Sequence, residues 1–139
     1  MDKILFIDDD RYFASEYLVE LQAQFEVVVC YDAQAAINAF HSNPDIVGAV
    51  VDVMMDPPIG FSHETHEGQT TGVWIVDQVS ETIIANRVVV LFFTNRMLAY
   101  VQDEIAFMEL DEQLCEVRSK RSIEAKDLPH TMTKLIQRR

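Results

Sequence analysis

The chain is expected to fold as an α/β domain built around a parallel sheet, and two features of the sequence carry that expectation. Apolar runs of about four to seven residues alternate with segments whose apolar residues recur at helical spacing, the pattern of a βαβ series. All of the strongly apolar runs but one also stop at a residue able to hold a metal or a phosphate. Ile4 to Ile7 runs into Asp8-Asp9-Asp10, and Val47 to Val51 runs into Asp52. Val88 to Phe93 ends at Thr94-Asn95, and Leu114 to Val117 is followed by Arg118, Ser119 and Lys120. In a parallel sheet these ends share one edge, where open α/β folds bind their ligands.

Each element follows from its pattern. Residues 3–8 read as the first strand. Ala14, Leu18 and Leu21 then mark one face of a helix over 11–24, capped by Asp9 or Asp10. Phe25 to Cys30 is a second strand. Ala33, Ala36, Ile37 and Phe40 stripe a second helix that Asn43-Pro44 ends. Strands three, 46–51, and four, 88–93, are apolar almost throughout, as suits strands covered by helices on both faces. Between them Ile75, Val79 and Ile83 mark a third helix starting near Gly72. A fourth helix is expected over 97–107. A fifth is expected over 122–137, with Pro129 placing its first turn nearer Leu128. The segment 56–71 has two prolines, two glycines and no period, so it reads as a long loop beside the sheet edge.

The bulk composition narrows the function classes. At 139 residues, a single domain over 1–139 is expected, with no room for a separate output module. Net charge is -12, which argues against nucleic acid and anionic membrane as partners. Cys30 and Cys115 lie in strand-like stretches without metal-ligand spacing and read as small buried hydrophobes in a reducing compartment. Acidic residues follow Ile7 at once, so no leader is expected, and the protein is expected in the cytoplasm.

Taken singly, the strand-end groups have ordinary explanations: a helix cap for the acidic triplet, a loop cap for Asp52, a turn for Thr94, an exposed lysine for Lys120. Together, acids ending strands one and three, a threonine ending strand four and a lysine ending strand five resemble the receiver domain of two-component response regulators. The resemblance spans essentially the whole chain. It implies a (βα)5 doubly wound parallel five-stranded sheet, flavodoxin-like, in strand order 2-1-3-4-5. It implies Asp52 as phosphoacceptor, with Asp8, Asp9 and Asp52 holding Mg²⁺ together with the Met54 backbone carbonyl. It also implies that Thr94 and Lys120, with Asn95 beside them, bind the incoming phosphoryl group.

These roles are chemically coherent. A carboxylate can act as the nucleophile that forms an aspartyl phosphate. Crowded carboxylates repel an anionic phosphoryl group by about 4 kcal/mol per charge pair at 4 Å and an effective dielectric near 20, which calls for a divalent cation. Lys120 adds a compact positive charge, and Thr94 a hydrogen-bond donor, for the phosphoryl oxygens. His63 and His66 lack the helical spacing of the zinc-protease motif and read first as part of a solvated polar loop, with pH sensing a lesser reading. With Phe61 they are candidates for a lid over the pocket.

Four features depart from the family pattern. Gly72 lies well beyond its usual position after the acceptor, so an insertion falls beside the reaction centre. Arg121 replaces the proline that usually follows the lysine through a cis peptide. A non-proline cis bond costs roughly 2.5–4 kcal/mol, so the bond is expected to be trans or else strained. Val117 stands at the aromatic switch position, and Asn95 where a small residue is usual.

The expected function is that of a stand-alone receiver. It would take a phosphoryl group from a histidine kinase or phosphotransfer protein and signal to a downstream protein by contact. The face formed by the fourth helix, fifth strand and fifth helix is the family's docking surface and a candidate homodimer surface, with Met97, Tyr100 and Val101 as candidate contacts. Two rivals are a pseudo-receiver whose 56–71 loop covers the pocket, and an aspartate-nucleophile phosphohydrolase. The second lacks its usual acid two residues after the nucleophile, where Met54 stands.

Overall fold

Strand order and register decide which side chains meet at the sheet edge. In the computed structural model, which describes residues 1–139, five parallel strands pair in the order β2-β1-β3-β4-β5. They are β1 (Lys3–Ile7), β2 (Glu26–Cys30), β3 (Ile46–Val51), β4 (Val89–Thr94) and β5 (Cys115–Ser119). Central strands β3 and β4 are buried almost throughout, whereas edge strands β2 and β5 are partly exposed, as the apolar runs anticipate. Ile7 pairs with both Cys30 and Val51, Val51 with Phe92, and Phe92 with Val117. Asp8 and Asp52 therefore leave neighbouring strands side by side.

Six helices cover the two faces: α1 (Arg11–Gln22), α2 (Ala33–Ser42), α3 (Thr71–Gln78), α4 (Ser80–Asn86), α5 (Leu98–Ile105) and α6 (Leu128–Ile136). Alternate strand residues feed two cores. Leu5, Ile7, Ala49, Val51, Val90 and Phe92 pack under α2 to α5. Ile4, Phe6, Val50, Leu91 and Phe93 pack under α1 and α6. Each fully buried Leu, Ile, Val or Phe contributes roughly 1.5–3 kcal/mol from its burial.

Local chemistry sets the helix ends. Asp10 caps α1, its Oδ1 accepting the Phe13 N–H at 3.0 Å, which leaves Asp9 free of that task. Asp32 caps α2 through the Ala35 N–H at 2.7 Å. The expected third helix is two helices, α3 and α4, broken at Val79, whose backbone is not helical. Ile75, Val79 and Ile83 are all buried. The expected fifth helix over 122–137 is shorter: a 3₁₀ turn at Ala125–Asp127 leads into α6, with Pro129 in its first turn. No peptide bond is cis, so Lys120–Arg121 is trans. No helix is long and apolar enough to cross a membrane.

Candidate functional site

Asp8 and Asp52 each begin where a strand ends, and the ladder continues through their backbones. The Asp8 N–H donates to Cys30 O at 3.1 Å and the Asp52 N–H to Ile7 O at 2.9 Å. Asp9 follows in the turn before α1. Carboxylate oxygens of Asp8, Asp9 and Asp52 all lie within 4.8 Å of one another, the one group of three or more metal-ligating side chains in the protein. From β5, Lys120 reaches into the same cluster. Its Nζ donates to Asp8 Oδ2 at 2.9 Å and lies 3.4 Å from Asp52 Oδ2.

Burial makes this cluster electrostatically uneven. Asp52 is 6% exposed, and that burial, reinforced by the Asp8 charge and opposed by Lys120, pushes its carboxyl up to about 7. Partial burial also raises Asp9, against the pull of the Asp56 N–H that donates to its Oδ2 at 3.2 Å. With three acids and one lysine, the cluster is short of positive charge. A hard cation that takes oxygen ligands fits that donor set.

The remaining predicted residues are placed as follows. Thr94 is the last residue of β4 and fully buried. Its carbonyl accepts the Lys120 N–H at 2.9 Å, and its hydroxyl accepts the Arg96 N–H at 2.9 Å rather than meeting a carboxylate. Asn95 is exposed beside it. Met54 is exposed on the rim of a shallow, open cleft of about 230 Å³ lined also by Asp9, Asp56 and, from the long loop, Glu67, Gly68 and Gln69. Phe61, His63 and His66 are not brought to the carboxylates. The Phe61 ring packs at a tilt against Trp74 with centroids 4.9 Å apart, His66 lies 4.0 Å from Glu104 on α5, and both histidines line a groove with Tyr100. Among the docking candidates, Met97 is 76% exposed, but Val101 is fully buried in the core under α5 and offers no surface. The helix α5 turns its Val101 side inward against the sheet.

Two features were beyond the sequence. The helix-starting glycine is there because α3 lies against the acceptor's own backbone: a Cβ on Gly72 would fall 1.9 Å from Asp52 O. Two aromatic residues of α1 also surround Lys120. Its Nζ sits 4.1 Å from the Phe13 ring centroid, and the Tyr17 hydroxyl reaches the turn that follows β5. Only the i, i+4 spacing of Phe13 and Tyr17 on α1 hinted at a shared role.

No family model matches the sequence, and no curated protein matches it. Solved structures do. A receiver domain of a Francisella response regulator aligns with a TM-score of 0.71 at 16% identity, covering 99% of this chain and 98% of that one. A CheY-like receiver domain protein from Methanospirillum hungatei gives 0.73 at 15% identity, with 99% and 96% covered. The receiver domain of the hybrid histidine kinase CckA gives 0.68 at 20% identity, with 97% and 99% covered. The chain thus has the fold of a response-regulator receiver domain from end to end. Its strand order, 2-1-3-4-5, is the one the resemblance implied.

Proposed function

We propose that the protein is a phosphoacceptor: Asp52 accepts a phosphoryl group from a phosphohistidine of a sensor kinase or phosphotransfer protein, and the phosphorylated form signals by protein contact. The observation that supports this most is the convergence of Asp8, Asp9, Asp52 and Lys120 from three strand ends into one small cluster. An Asp52 oxygen attacks phosphorus, an O–P bond forms, and the N–P bond to the donor imidazole breaks, leaving that ring to take up a proton. Asp8, Asp9, Asp52 and the Met54 carbonyl would hold Mg²⁺. Bound there, it would offset the crowding of carboxylates, keep Asp52 ionised and share phosphoryl oxygens. Lys120, anchored on Asp8, supplies positive charge to the transferred group. The Thr94 hydroxyl accepts one hydrogen bond and has its own proton left to donate to a phosphoryl oxygen.

The test is incubation with acetyl phosphate and Mg²⁺, followed by mapping of the acid-stable, base-labile label. Label on Asp52 that disappears with EDTA is expected. An Asp52→Asn protein that takes label at the wild-type rate overturns the proposal.

A second reading has its own support. Asp52 is nearly inaccessible and Lys120 already lies against it, which suits an interaction module that is never phosphorylated. Beryllofluoride separates the two: a saturable, Mg²⁺-dependent spectral response excludes the closed form.

A further inference from the structure

The lysine at the end of β5 is followed by Arg121, so the turn that presents its side chain has no proline to stiffen it. The Lys120 N–H, bonded to Thr94 O at 2.9 Å, ties the start of that turn to β4, and the residues past it are held by short bonds within the turn. The Ser122 N–H and Oγ both bond Ser119 O, at 2.9 and 2.7 Å. The Arg121 N–H donates to Ser119 Oγ at 3.2 Å on the exposed side. Each of these groups can exchange its partner for water, so they limit the turn weakly.

A stronger restraint comes from α1. Tyr17 is buried, and its hydroxyl donates to Ile123 O at 2.7 Å while lying 3.4 Å from Lys120 O. One phenol therefore touches both ends of the 120–123 turn. A phenol has a single proton, so the shorter contact to Ile123 is the hydrogen bond, and Lys120 O is a close neighbour. Phe13 stands one turn earlier on the same helix face, its ring 4.8 Å from that of Tyr17. Phe93 of β4 braces both rings, at 6.2 and 5.3 Å. The Lys120 ammonium rests 4.1 Å from the Phe13 ring centroid, with Asp8 and Asp52 on its other sides.

From this arrangement we infer that Tyr17 and Phe13 are positioning residues for Lys120, Tyr17 fixing the backbone of its turn and Phe13 fixing its ammonium. Both act through Lys120, so they are positioning residues and not catalytic ones. A flexible four-carbon stem between two carboxylates can settle on either one. The ring on the third side and the pinned backbone leave it one place, between Asp8 and the acceptor. Phe13 and Tyr17 thus take over from α1 the restraint that a proline after the lysine would give. The inference rests on the proposed phosphoacceptor role for its consequence, but its geometric part stands by itself.

The test uses the full chain with Tyr17→Phe, which keeps the ring, and Phe13→Leu, which keeps the bulk and loses the π face. The first readout is the Lys120 ammonium resonance in ¹H–¹⁵N spectra, assigned by its loss in Lys120→Met. A restrained ammonium gives a sharp signal in the wild type, and we expect broadening in both variants. The second is the label rate from acetyl phosphate with Mg²⁺. It should fall roughly tenfold in maximal rate, with little change in the donor concentration for half-maximal rate. Variants that melt lower yet keep a sharp Lys120 signal and the wild-type maximal rate would make the aromatics merely structural and overturn the inference. If Tyr17→Phe fails to fold, Phe13→Leu decides by the same two readouts. If the wild type takes no label, the phosphoacceptor reading falls, and the ammonium signal alone decides whether the two residues position Lys120.

Discussion

Replacing Asp52 by asparagine probes the electrostatic imbalance of the cluster directly, because burial and the Asp8 charge hold that carboxyl near 7 instead of its ordinary 3.8. A raised folded-state value means the folded protein binds the proton more tightly than the unfolded chain. The associated stability is full below about pH 4, declines as pH rises, and is lost once pH passes about 7. At about 1.36 kcal/mol per unit, ionised Asp52 opposes folding by roughly 4 kcal/mol in mildly alkaline solution. Asparagine has nearly the same shape and removes this penalty. It also weakens one partner of Lys120, which keeps its 2.9 Å bond to Asp8, a loss of roughly 1–2 kcal/mol. The net expectation is a gain of about 2–3 kcal/mol at pH 8, or about 6–9 °C in Tm for a chain of this size. Urea and thermal melts in EDTA, from about pH 5 to 8.5, should show the two proteins converging toward acid and diverging toward alkali. Mg²⁺ should then stabilise the wild type more than the variant and narrow the gap. A variant no more stable than wild type at pH 8, with a gap independent of pH, would refute the account of Asp52 as a strained, cation-seeking carboxylate.

Gly72→Ala should destabilise the fold by about 3 kcal/mol or more in urea melts, since its Cβ would meet Asp52 O at 1.9 Å and the approach is backbone on backbone. The Arg87→Gly change should stabilise by about 0.5–1 kcal/mol, because Arg87 ends α4 in the left-handed region at φ 50° and glycine adopts it without a Cβ penalty. Burial pushes the Cys30 and Cys115 thiols up to about 11 and about 12. Only about one thiol in a thousand or fewer is then ionised at pH 8, so a thiol-specific chromogenic reagent should label the native protein slowly and the urea-unfolded protein at once.

The strands and their end residues were legible in the sequence because a parallel sheet buried on both faces demands unbroken apolar runs, and polar groups at the ends of β1, β3, β4 and β5 have nowhere else to lie. What joins those ends is not written locally. The pairing of Ile7 with Val51, which sets Asp8 beside Asp52, depends on a strand order that the family resemblance supplied. Nor could the sequence choose between Asp9 and Asp10 as the α1 cap, a choice that releases Asp9 to the cluster. Val79 fits the period of a single helix, so the apolar spacing carried no sign of the break there. Val101 read as surface because its helix is amphipathic in sequence without showing which side meets the sheet. Tyr17 was invisible as a site residue because its hydrogen-bond partner Ile123 lies at the far end of the chain.

The insertion after Asp52 is tolerated for a reason its own base makes plain. Met55 gives its N–H to Gly68 O at 3.1 Å, and its carbonyl accepts the Thr71 hydroxyl at 2.7 Å. Gly72 N–H then donates to Val53 O at 2.9 Å. Chain that leaves at Met55 and returns at Gly68 is a closed excursion, so α3 meets the acceptor strand as it would with no insertion. Gly68 can serve as the closing residue because its φ of 92° and its contact with Met55 O leave no place for a side chain. Lengthening such a loop adds only about 0.6 kcal/mol of closure entropy per doubling. Contacts of the loop offset that: buried Thr65 donates to Phe61 O at 2.8 Å, and the Phe61 ring packs at a tilt against Trp74 of α3. The outer part of the excursion points His66 toward Glu104 of α5, and Gln69, just past the closing glycine, accepts a hydrogen bond from Arg96 in the turn before α5 at 2.9 Å. Arg96 is also the residue whose N–H the Thr94 hydroxyl accepts. The insertion therefore leaves the carboxylates where the fold puts them and adds a contact between the acceptor loop and the turn after β4, the same turn that any movement of Thr94 must disturb.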